Sequence, residues 1–158
     1  MLIKLIYTLF LALIIALFVG LGIDAFYSGP QAPDYPSELN IMTTKSDYTE
    51  TAEHKVLREN YDQEQKTYAE AEKIYNRNVS IISLIAAILI LILSLTLLSK
   101  IKMMADGILL GGVFTTTYSL IRGLMSDSSQ FRFLIVAIGL AIALVLGYLK
   151  FIRPKGAL

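Results

Sequence analysis

Four uncharged apolar runs interrupt this chain, and they leave it few ways to fold outside a lipid bilayer. They are residues 5–23 (LIYTLFLALIIALFVGLGI), 79–98 (VSIISLIAAILILILSLTLL), 107–121 (GILLGGVFTTTYSLI) and 133–149 (FLIVAIGLAIALVLGYL). A helix needs about 20 apolar residues to cross a hydrocarbon core about 30 Å thick. The first two runs reach that length and the fourth comes close. The third is shorter and more polar, and spans only if Met103–Asp106 dips into the interface. An interior helix shielded by three neighbours tolerates this, and a buried core helix is the alternative reading. Composition agrees, with 55% of residues hydrophobic and 17% charged. A soluble domain has about 45–50% and about 25%. The expected fold is all-α, with transmembrane helices at 1–23, about 79–98, 104–121 and 133–149, the last three forming one region over 79–158.

The first run reads as a retained anchor. Its apolar stretch exceeds the roughly 7–15 residues of a leader, and no A-x-A-like site follows it. Orientation follows from the bases flanking the runs. Lys4, Lys100, Lys102, Lys150, Arg153 and Lys155 lie on one side, with Asp106 the only acid there. Arg122 and Arg132 lie on the other, together with residues 24–78, where acids outnumber bases. Basic short loops stay cytoplasmic, so both termini are expected inside and 24–78 outside. The chain has no cysteine. This removes thiol chemistry and Cys-based metal sites, and it favours a prokaryotic plasma membrane over an oxidised, disulfide-stapled surface.

The region between the first two runs divides in two. Residues 24–46 hold Pro30, Pro33 and Pro36, a spacing of three that matches the polyproline II turn. Residues 47–78 contain no Gly or Pro and are rich in Glu, Lys, Gln and Ala, which favour helix. Asp47 followed by Glu50 has capping-box spacing and marks the expected start. Nothing between residues 76 and 86 stops that helix, so it is expected to run without a break into the second span as an extracytoplasmic stalk. Tyr61, Tyr68 and Tyr75 recur every seven residues along it. Either the 24–46 segment climbs back and covers this stripe with Pro30, Pro33 and Pro36, or the stripe is a coiled-coil seam for another copy or another protein.

Residues 20–36, GLGIDAFYSGPQAPDYP, carry a first span followed by F-Y-x-x-P-x-x-P-x-Y-P. This stretch resembles small bacterial integral membrane proteins with four spans, to which no activity is attached. The resemblance covers only the first span and the proline segment, and implies a prokaryotic source.

Inside the spans, small residues recur at four-residue spacing: Ala12, Ala16 and Gly20; Gly107, Gly111 and Thr115; Gly139, Ala143 and Gly147. Such rows let helices approach closely in lipid. Thr115, Thr116 and Ser119, with Thr117 and Tyr118, form the one polar cluster, whose hydroxyls can bond their own i−4 carbonyls. Ion and proton carriers place an ionisable group in the hydrocarbon. Here the middle of every span is uncharged. Asp106 stands at a boundary, where a helix N-cap role accounts for it.

His54 is the only histidine and lies beside Glu50 and Glu53, a solvated helix face before it is a metal site. No P-loop, HExxH or dinucleotide fingerprint occurs, nor a basic-aromatic patch for nucleic acid. No catalytic, cofactor-binding or metal-binding residues are expected, and no enzyme. The expected role is an integral membrane structural or interaction subunit. It would partner the bilayer and either its own copies or another membrane protein. The alternative is a small-solute transporter or channel component, with a path along the third span through Thr115, Thr116, Ser119 and Asp106.

Overall fold

The structure, a computed structural model, describes residues 2–37, 51–97 and 101–152. Among them there are four α-helices and no strand: α1 (Leu2–Phe26), α2 (Ala52–Leu97), α3 (Lys102–Leu124) and α4 (Ser129–Gly147). A π-helical turn, Tyr148–Ile152, follows α4 directly. All four helices are long and apolar enough to cross a membrane. α3 resolves the marginal third run. It extends the apolar stretch by several residues at each end, to 23 residues, and so reaches a spanning length.

The chain forms two compact units, Met1–Ser28 with Asn76–Leu158, and Gly29–Tyr75. The first unit is organised around α3. Gly107 and Gly111 face Leu11 and Ile15 of α1, an ascending pairing that makes α1 and α3 parallel. Gly112 faces Leu91 and Ile90, while the Ser94 hydroxyl donates to the Ala105 carbonyl at 2.7 Å, so α2 runs antiparallel to α3. Gly123 faces Ile135, and Leu120 faces Gly139, which makes α4 antiparallel as well. α3 therefore touches all three other helices. Its buried residues are Ala105, Gly107, Gly111, Gly112, Thr115, Thr116, Ser119 and Gly123, none larger than threonine. In lipid, helices gain nothing from hiding apolar area from one another, so close backbone approach over small residues supplies the association. α1 and α4 offer only thin lines of contact, with 6% of their apolar windows buried, against 39% in α2 and α3.

The small-residue rows are only partly used. Gly107 and Gly111 on α3 lie in tight contacts, Ala12 is fully buried, and Gly139 meets Leu120. Gly20 and Gly147 have nothing within 4 Å of where a Cβ would stand, and Ala143 is exposed. A four-residue spacing places residues on one helix face but does not say which face meets a neighbour.

One helix end, the start of α3, differs from the sequence reading. α2 begins at Ala52, and the Thr51 carbonyl accepts the Lys55 N–H at 3.2 Å. Asp47 and Glu50, the expected capping pair, lie outside the described residues. α3 begins at Lys102, with Ile101 in the N-cap place. Asp106 is thus in the second turn and does not cap, which corrects the role expected for it. At the other end of α3, the Met125 and Ser126 N–H groups close on the Arg122 and Gly123 carbonyls, each at 3.2 Å. Ser128 then caps α4 by accepting the Phe131 N–H at 3.3 Å, as small hydroxyl residues commonly do.

Candidate functional site

The second unit brings the tyrosines of α2 and the proline segment together. Residues 27–36 have no regular secondary structure. Tyr61, Tyr68 and Tyr75 are each half-buried on one face of α2. A Cβ on Gly29 would stand 3.3 Å from the Tyr75 ring, so the missing side chain lets the backbone lie on that ring. Pro30 and Pro33 share a cavity of about 420 Å³ with Gln31, Gln63, Glu64, Thr67, Tyr68 and Ala71. Tyr35 meets Tyr61 edge to face, ring centroids 5.2 Å apart at 79°, a favoured aromatic geometry. The Gln65 amide donates to the Tyr61 hydroxyl at 2.7 Å. Pro36 is half-buried at the far end. Gly29 and Tyr35 are the contact residues that sequence reasoning left out of the stripe. Gly29 had a signal, since glycine permits close backbone approach.

The polar cluster of the third span is a packing seam. Thr115, Thr116 and Thr117 donate to the carbonyls of Gly111, Gly112 and Val113 at 2.9, 2.9 and 3.0 Å. The Ser119 hydroxyl donates to the Ser80 carbonyl at 2.7 Å, and the Ser80 hydroxyl donates back to the Ser119 carbonyl at 2.8 Å. Both serines are fully buried. Ser83 donates to the Val79 carbonyl at 2.7 Å. Among the described residues, no buried side-chain donor or acceptor lacks a partner. Interhelical serine bonds of this kind contribute about 0.6 kcal/mol on average.

Two polar sites close the ends of α3. At one, Lys150 from the π turn is ion-paired with Asp106. Both side chains are about a third exposed (32% and 38%). Such a pair adds little stability. Asp106 lies nine residues from Thr115, about 13 Å along the helix axis. The structure therefore does not join the four residues of the expected polar path. At the other end, Arg122 donates to the Asn76 side-chain carbonyl at 2.8 Å and to the Tyr118 hydroxyl at 3.1 Å. Its guanidinium sits 5.4 Å from the centre of the Tyr118 ring. Asn76 is 2% exposed. Nearby in the chain, the Asn78 amide donates to the Tyr27 hydroxyl at 2.8 Å, tying α2 to the residue that follows α1. Arg132 donates to the Ser126 carbonyl at 2.7 Å.

The His54 imidazole is hydrogen-bonded with the Thr51 hydroxyl. Among the described residues, no group of three or more His, Cys, Asp or Glu side chains could hold a metal ion. Glu50 lies outside those residues. No protein-family model, no curated protein and no solved structure matches this chain.

Proposed function

We propose that this is a multi-pass membrane subunit whose spans serve as an anchor and whose 29–75 region makes the functional contacts, in a structural or interaction role. One contrast carries this reading. In the spans, every buried side-chain hydroxyl and amide among the described residues has a hydrogen-bond partner, and the glycines of α3 lie at packing distance from side chains of the other three helices. In the 29–75 unit, polar side chains stand exposed around an aromatic and proline surface. A solute path needs polar groups that can exchange partners with the solute. The bonds of Thr115, Thr116 and Ser119 favour an anchor instead.

The contacts along α2 support an extended proline segment. Tyr61 and Tyr75 are about 21 Å apart along the helix axis. Gly29 and Tyr35 meet these two rings across six residues, which must be stretched close to the roughly 3.3–3.6 Å per residue that a chain can reach. The polar 29–75 unit belongs in water. By the distribution of Lys and Arg it lies outside the cell, with both termini in the cytoplasm of a prokaryote and the spans in its plasma membrane. A reporter fused after Leu158 is expected to behave as cytoplasmic. A tag inserted at Asn40 is expected to be labelled from outside intact cells; the reverse pattern in both would overturn the orientation.

Co-purification under mild detergent tests the role. The chain is expected to be recovered with a second membrane protein or as a defined assembly of its own copies, and deletion of residues 30–74 is expected to release that partner while the spans still insert. Recovery as a lone monomer that drives solute uptake in liposomes would replace the interaction role with transport.

A further inference from the structure

The groove between residues 30–33 and α2 has a floor and a rim of different chemistry. Pro30, Pro33, Tyr68 and Ala71, all half-buried, make an apolar floor. Gln31, Gln63 and Glu64 are exposed at its edge. Among the described residues, neither amide side chain, nor the Glu64 carboxylate, nor the Tyr68 hydroxyl is hydrogen-bonded. The helical part of the lining runs from Gln63 to Ala71, about 12 Å of helix axis, which about three or four residues of an extended chain match. The rim amides can bond the backbone of an extended chain, whereas a helix uses its own backbone groups internally.

Charge selects among extended chains. Residues 29–75 hold ten acidic and five basic side chains, while the rest of the protein holds three acidic and nine basic. A second copy presenting the same face would meet like charge, which disfavours a homotypic pairing here. We propose that this groove binds an extended, basic peptide segment of a partner protein. An apolar residue would rest on Pro30, Pro33 and Tyr68, with a Lys or Arg two positions away facing Glu64. The Gln31 and Gln63 amides each offer both donors and an acceptor, which suits the N–H and C=O groups of an extended backbone. Side chains two apart share one side of an extended chain, so the apolar and basic groups reach floor and rim together. The inference rests on the interaction role and names the partner's chemistry.

The test uses the full chain in nanodiscs and fluorescent hexapeptide amides. The probe has Leu and, two positions on, Lys among alanines; the control has Glu in place of Lys. Saturable binding of the Lys peptide and none of the Glu peptide is expected by fluorescence anisotropy. E64K is expected to weaken the Lys peptide about fivefold or more, because reversal turns an attraction worth up to about 1 kcal/mol into a repulsion. D62K makes the same change in total charge at an exposed position about 160° around the helix, and is expected to leave binding near the unmodified level. Absence of saturable binding overturns the proposal, as does equal loss in E64K and D62K, which would mean that bulk charge alone attracts the peptide. Self-association that E64K weakens also overturns it, since the occupant would then be a second copy. If the peptide fails but a partner still co-purifies with E64K, the groove is wrong and the interaction role stands. If the peptide fails and the chain is recovered alone, both fall.

Discussion

Gly111→Leu is expected to unseat α1 from α3 and lower the stability of the membrane unit by about 1–3 kcal/mol, the usual range for overpacking. A Cβ at this position would stand 2.9 Å from the Cβ of Ile15 and 3.0 Å from its Cγ2. These atoms are close to the backbone of a β-branched residue, whose χ1 is nearly fixed in a helix, so they cannot swing aside. The backbones must separate, and the loss extends to Gly107, which lies one turn away against Leu11. Gly20→Leu and Gly147→Leu are the controls, because nothing lies within 4 Å of the added Cβ at either place. The measurement is the unfolding midpoint of each purified variant in one detergent. A Gly111 variant as stable as the two controls would mean that α1 does not pack on α3 through this face.

Arg122→Met is expected to have an effect of similar size at the other end of α3. The substitution keeps much of the side-chain length but removes the hydrogen bonds to Asn76 and Tyr118 and the cation over the Tyr118 ring. Asn76, 2% exposed, then loses the guanidinium donor to its side-chain oxygen. Leaving a buried polar group without its partner costs about 1–3 kcal/mol. Arg122→Lys is expected to recover only part of this, because an ammonium cannot meet the amide and the phenol in the planar fork that a guanidinium provides. If the pair is the cause, Asn76→Leu combined with Arg122→Met will cost less than the two changes added separately. Additive losses in that double-mutant cycle would place the effect of Arg122 elsewhere.

The four helices long and apolar enough to cross a membrane were legible in the sequence, because length and the exclusion of charge are one-dimensional properties. The unbroken α2 was legible too, since no Gly or Pro interrupts residues 52–97. Tyr61, Tyr68 and Tyr75 were legible as one helix face by their period. Pro30 and Pro33 belonged to one of the two coverings that the sequence left open, whereas the contacts of Gly29 and Tyr35 follow only from how the chain returns along α2. The same division holds inside the spans. Three small-residue rows looked alike, yet Gly111 touches Ile15 while Gly20 touches nothing. Asp106 looked like a cap because it precedes an apolar run, but helix α3 begins at Lys102 and Lys150 reaches Asp106 from the end of α4. The sequence by itself determined which segments are long and apolar enough to cross a bilayer and which face each helix could offer, because hydrophobicity and helical period are carried by each segment alone. Only the tertiary structure decided which faces meet. Contact depends on the rotation and register of two helices at once, and every helix here has more than one apolar side on which it could have packed.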